Sequence, residues 1–93
     1  MSDNVFSSVW DAISETPEEA ANLKLRAELM TTLRDYIAEM KLSQAAAAKL
    51  FGVAQPRVSD LKRGKIAQFS LDTLVKMAGD AGYEVGLTVH RAA

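Results

Sequence analysis

Residues 44–61, QAAAAKLFGVAQPRVSDL, contain small, apolar and glycine positions at the spacing of two short crossed helices. A small side chain at Ala48 lets a second helix cross close to the first. Gly52 can turn the chain, since glycine enters positive φ at little cost. Val58 and Leu61, three residues apart, can anchor the second helix. The scaffold positions of this predicted helix-turn-helix are Ala48, Gly52, Val53, Val58 and Leu61.

Pro56 lies near the start of the second of these helices. A proline costs roughly 3 kcal/mol in a helix interior, but in the first turn its missing N–H would be unpaired anyway. Pro56 therefore indicates that the helix begins at about Gln55. Gly64 is a stop signal, so we expect the helix to end at about Lys62.

The sequence after residue 16 predicts one long helix. Thr16 suits the N-cap, Pro17 suits the first helical position, and Glu19 completes a capping box. No glycine or proline interrupts the chain from there to about Met40. The apolar stripe that we expect to be buried consists of Leu23, Met30, Leu33, Ile37 and Met40.

Two further helices and one strand complete the expected elements. Residues 4–14 predict a short amphipathic helix, and Ser70 caps a last helix that runs to about Ala81. From residue 83 the apolar side chains alternate with polar or small ones, which is typical of a half-buried strand. A lone strand leaves its N–H and C=O groups unpaired, so we expect it to pair in a homodimer. The inner face of the last helix is predicted as Leu71, Leu74, Val75 and Ala78, and the dimerisation strand as Tyr83, Val85, Leu87 and Val89.

Charge is distributed unevenly along the 93 residues, although the formal net charge is only −1. Residues 1–40 carry −5, residues 41–65 carry +5 and residues 66–93 carry −1. A polyanion would be attracted to the middle of the chain and repelled by its start.

Composition argues against several other classes of protein. There is no cysteine, so disulfides and thiolate metal sites are excluded, and the single histidine, His90, is expected at the surface. We expect no metal site, no cofactor and no catalytic residue, because no nucleophile–base or carboxylate pair stands out. No apolar run approaches the roughly 20 residues of a membrane span, and the start of the chain lacks a basic signal-peptide region. The chain is therefore expected in the cytoplasm, without a membrane partner.

The spacing Gln44…Ala48…Gly52-Val53…Val58…Leu61…Gly64 resembles the helix-turn-helix of the lambda-repressor-like (XRE) family of DNA-binding domains. More narrowly, residues 42–85, with QPRVS and FSLDTL, resemble HigA-type antitoxins of bacterial toxin–antitoxin modules. The resemblance implies an all-α fold of about five helices with one C-terminal strand. We divide the chain accordingly into an amphipathic segment (1–16), a helix-turn-helix domain (17–82) and a dimerisation strand with its tail (83–93).

The resemblance also implies a function, namely repression of transcription from a palindromic double-stranded DNA operator in the protein's own operon. The dimer would place two recognition helices ~34 Å apart, one DNA turn, in successive major grooves. It would also bind and neutralise a RelE-like ribonuclease toxin, and the segment from about Val5 to Leu29 is our hypothesis for that contact. Two alternatives stay open: a stand-alone XRE-type regulator without a toxin, and a protein-interaction module that does not bind DNA.

The residues expected at DNA follow from the same comparison. Gln55 can pair with adenine, and Arg57 can pair with guanine or a phosphate. Asp60 departs from a basic face; it can accept from a cytosine, discriminate between sequences, or pair with Arg57 or Arg63, and we favour the internal pair. The expected DNA-contacting set is Gln44, Gln55, Pro56, Arg57, Ser59, Asp60, Lys62, Arg63 and Lys65.

Overall fold

The computed structural model of the chain describes residues 16–91, and this part contains four α-helices and one 3-10 turn. The predicted helix over residues 4–14 lies outside the described residues. No helix in residues 16–91 is long and apolar enough to cross a membrane. The elements are α1 (Pro17–Glu39), α2 (Gln44–Phe51), α3 (Gln55–Lys62), the 3-10 turn (Ile66–Gln68) and α4 (Leu71–Asp80).

Side-chain caps set the start of three helices. The hydroxyl of Thr16 accepts from the N–H of Glu19 at 3.1 Å, and Ser43 and Ser70 accept in the same way at 3.0 and 3.1 Å. Each such cap stabilises its helix by about 1 kcal/mol. Pro17 and Pro56 lie in the first turns of α1 and α3, so the predicted starts of these helices are confirmed.

Two turns bring α1, α2 and α3 together. Gly52 ends α2 with φ 67° and ψ 35°, as the spacing predicted, and the N–H of Val53 donates to the carbonyl of Ala48 at 3.0 Å. Between α1 and α2, Lys41 adopts φ 54°, and the N–H of Leu42 donates to the carbonyl of Ile37 at 3.0 Å. A left-handed conformation costs a residue other than glycine about 1–2 kcal/mol.

The core is made of apolar side chains alone among the described residues. Helix α1 packs along α4, and α2 packs against α3. Met30, Phe51 and Phe69 are among the side chains buried between these elements. The whole buried set is Leu23, Met30, Leu33, Ile37, Ala47, Ala48, Phe51, Val58, Leu61, Phe69, Leu74, Met77 and Ala78.

Two positions predicted to be buried are exposed. Met40 is 56% exposed because it is the C-cap of α1, where the chain leaves the helix before the stripe completes another turn. Val75 is 38% exposed because α4 turns Leu74, Met77 and Ala78 towards the core and leaves Val75 on its flank.

The predicted strand over residues 83–90 is not formed in the described chain. A strand exists only through ladder hydrogen bonds to a neighbour, and the described single chain offers none. Instead, the N–H of Tyr83 donates to the carbonyl of Ala78 at 2.9 Å. The ring of Tyr83 packs edge-on against the ring of Tyr36, with 5.9 Å between the ring centres. Beyond Tyr83 the apolar side chains become increasingly exposed, to 72% at Leu87 and 81% at Val89.

Candidate nucleic-acid interface

Helix α3 presents a polar face away from the core. Val58 and Leu61 are fully buried, so the residues on the opposite side of the helix must face outwards. Gln55 and Pro56 in its first turn are exposed, and Ser59 one turn later is half-buried. The start of α3 is therefore free to approach a ligand, whereas its rear is locked into the core.

The last turn of α3 and the residues that follow it are basic. The side chains of Arg63 and Lys65 are 60% and 50% exposed, and both approach Asp60 Oδ1, at 3.3 and 3.7 Å. Of the roles considered for Asp60, the internal pair is the one observed, with Arg63 rather than Arg57. Because exposed pairs contribute about 1 kcal/mol or less, Arg63 and Lys65 can exchange Asp60 for another anion at little cost.

Arg57 does not point outwards with the other candidates. Its Nη1 donates to the backbone carbonyl of Gln68 at 2.7 Å, and its guanidinium carbon lies 4.4 Å from the centre of the Phe69 ring. Phe69 is only 1% exposed, so Arg57 is held between the flank of α3 and the 3-10 turn. A direct base contact by Arg57 would require it to give up both contacts.

A second arginine, missed in the sequence analysis, binds the same segment from α1. Arg26 Nη1 donates to the carbonyls of Ile66 and Phe69 at 3.1 and 3.2 Å, and its Nε donates to Asn22 Oδ1 at 2.7 Å. We call Arg26 and Arg57 the arginine clamp. The available signal was the position of Arg26 in α1, three residues after Leu23 and thus beside the buried stripe.

The remaining candidates lie around this framework. Gln44 is half-buried as the first residue of α2, next to its N-cap Ser43. Lys62 is exposed at the end of α3 and lines a cleft against α1. The structure thus places Gln55, Pro56 and Ser59 together on one open face, with basic side chains following them along the chain.

Comparisons with known proteins agree with this geometry. A family model described as a helix-turn-helix domain matches residues 12–90. A solved structure of a protein assigned to the XRE family of transcriptional regulators is 30% identical, covers 80% of this chain and 83% of its own, and superposes with a TM-score of 0.73. No curated protein sequence matches the chain significantly. The chain therefore belongs to the helix-turn-helix domain family and is of the XRE type.

Proposed function

We propose that this chain is a sequence-specific, non-enzymatic DNA-binding repressor of transcription that inserts α3 into the major groove. The observation that carries the proposal is the open polar start of α3, with Gln55, Pro56 and Ser59 outward and Val58 and Leu61 fully buried behind them. Side chains at the start of a recognition helix contact base edges in this class of domain. The family of the chain supports the same function.

The exposed residues divide into base readers and phosphate contacts. Gln55 can make two hydrogen bonds with an adenine, and the apolar ring of Pro56 suits a thymine methyl group. Lys62, Arg63 and Lys65 supply charge for the backbone, which gives affinity without sequence information. Gln44, at the start of α2, can reach a phosphate from the helix that crosses the backbone.

A pair of substitutions tests this division. Gln55→Ala should weaken binding to a duplex selected by the protein by about 1–3 kcal/mol and relax preference at one base pair. Lys65→Ala should weaken selected and random duplexes alike. Fluorescence anisotropy at fixed salt measures both, and equal loss on both duplexes for Gln55→Ala would show that Gln55 reads no base.

We propose further that the repressor is a homodimer joined through its C-terminal segment. Val85 and Leu87 lie beside Leu25, Leu29 and Val75, around an apolar groove of about 420 Å³ between α1 and α4. These side chains remain partly exposed in the single chain, so a second copy would bury them. A twofold axis there would give the C-terminal segment the strand partner that it lacks in the single chain.

The finer role is that of a cytoplasmic antitoxin that represses its own operon and neutralises a RelE-like toxin. The resemblance of residues 42–85 to HigA-type antitoxins supports it, and so does the charge of −5 over residues 1–40, since such toxins are typically basic. Deleting residues 1–14 should abolish co-purification with a toxin encoded beside the gene while DNA binding persists. If the complex forms unchanged, the toxin contact lies elsewhere.

A further inference from the structure

A basic cleft is lined mostly by residues outside the set expected at DNA, of which it includes only Lys62. It is formed by the second half of α1, the turn after α1 and the last turn of α3, and its volume is about 560 Å³. Arg34, Lys41 and Lys62 line it, and Asp35 is the one acid in the lining. Of these residues, only Lys62 belongs to the two helices of the helix-turn-helix motif, α2 and α3.

The three cations of the basic cleft are not neutralised within the described chain. None of them forms an ion pair with a carboxylate of residues 16–91, whereas Arg63 and Lys65 share Asp60. Arg34 Nη1 lies over Gly64, only 3.4 Å from where a Cβ at that position would stand. Three cations without an ion-pair partner outnumber the single acid of this concave lining, and such an excess creates a positive potential that attracts an anion.

The backbone at Lys41 adds an independent observation. Lys41 occupies the left-handed position that ends α1, with its N–H donating to the carbonyl of Ala38 at 3.1 Å. Glycine is the usual residue there because it has no Cβ to strain the turn. A residue that conflicts with its local conformation often marks a functional position. Here the lysine supplies a cation to the cleft that glycine could not.

We propose that the basic cleft is a phosphate-binding site and that it takes a backbone phosphate of the bound duplex, beside the groove that α3 enters. Lys62, which lines the cleft, belongs to α3. Lys41 lies three residues before Gln44, the first residue of α2, which is the helix expected to cross the DNA backbone. DNA presents one negative charge per roughly 1.7 Å of its axis, so a cationic surface beside the recognition helix meets phosphates. This inference rests on the proposed DNA-binding function.

The variant Lys41→Gly tests the proposal with little risk to the fold, because glycine relieves the left-handed strain. Its melting temperature should equal or exceed that of the native chain. By fluorescence anisotropy between 50 and 200 mM salt, we expect selected and random duplexes to bind about 3–10-fold more weakly, with the salt slope smaller by about 0.9. Lys24→Ala is the matched control: it removes one exposed charge from the first half of α1 and should change neither affinity nor slope appreciably.

The possible outcomes distinguish failure of the phosphate site from failure of the proposed DNA-binding function. If Lys41→Gly binds DNA like Lys24→Ala while Lys65→Ala weakens binding, the cleft does not contact DNA and the inference fails, although the function stands. If the native chain shows a shallow salt slope and no sequence preference, the proposed function fails. If inorganic phosphate or ATP raises the melting temperature of the native chain but not of Lys41→Gly, and both bind DNA equally, a free phosphorylated ligand occupies the cleft and the DNA assignment is overturned.

Discussion

At the scale of single residues, Gly52 and Gly79 show how much backbone conformation alone determines which residue a position accepts. Gly52 is required by its backbone, since φ 67° is left-handed, whereas no atom beyond its chain neighbours lies within 4 Å of a Cβ built there. Gly79, inside α4, also has nothing within 4 Å of such a Cβ, but its φ is unexceptional. Because neither position is crowded, the two glycines differ in backbone conformation alone, and alanine at each tests the effect of that conformation.

We predict opposite effects of alanine at these two glycines. Gly52→Ala should lower the free energy of unfolding by about 1–2 kcal/mol, because alanine is strained in the left-handed region. Gly79→Ala should raise it by about 0.5–1 kcal/mol, because glycine is the weaker helix former. Urea denaturation measures both, and a neutral Gly52→Ala would mean that the turn can adopt another conformation.

At the scale of elements, the connection between α3 and α4 is held by side chains rather than by regular structure. The arginine clamp donates to the carbonyls of Ile66, Gln68 and Phe69, and Phe69 fills the core beneath it. These contacts fix the segment that follows the basic end of α3. The clamp thus couples α1, which carries Arg26, to α3, which carries Arg57.

We predict that the two arginines of the clamp act together. Arg26→Ala and Arg57→Ala should each lower the free energy of unfolding by about 1–2 kcal/mol, and the double variant should lose less than the sum, since both hold one segment. Arg57→Ala should also weaken DNA binding, and Arg57→Lys should restore little of either property because lysine lacks the planar fork and stack. Strict additivity in urea denaturation would show that the two arginines hold the segment independently.

Sequence patterns predicted the elements whose causes are local. The caps at Thr16 and Ser70 and the turn at Gly52 follow from a few neighbouring residues, so the starts of α1 and α4 and the end of α2 were predictable. Arg57 was predicted at the groove from its position on the helix. In the structure it donates to the carbonyl of Gln68, eleven residues away, and helical position alone cannot reveal such a contact. The clamp and the basic cleft depend on how α1 packs against distant segments, which spacing does not encode.

At the scale of the whole molecule, the middle of the chain and its C-terminal segment have different surfaces. The basic stretch of residues 41–65 includes α3, and the two most exposed large apolar side chains of residues 16–91, Leu87 and Val89, lie in the C-terminal segment. One surface suits a polyanion and the other suits a protein partner. The proposed twofold dimer would use both, because two α3 helices in successive major grooves require two copies held at a set distance.

We predict that the C-terminal segment controls the oligomeric state. Leu87→Pro should yield monomers by light scattering, because proline has no N–H to donate to the ladder and the change removes the apolar Leu87 side chain from the proposed interface. Thr88→Ala at the neighbouring position should leave the dimer intact. A dimer that persists in Leu87→Pro would place the interface on helices instead.

The salt dependence of DNA binding tests the central claim most directly. Duplexes selected from a random pool by the protein are compared with scrambled duplexes by fluorescence anisotropy between 50 and 200 mM salt. We predict that affinity for the selected duplex falls steeply, with a logarithmic slope of about −0.9 per phosphate contact, and exceeds that for scrambled DNA by at least ~10³-fold. A shallow slope, with both duplexes bound alike, would contradict the account of α3 as a recognition helix.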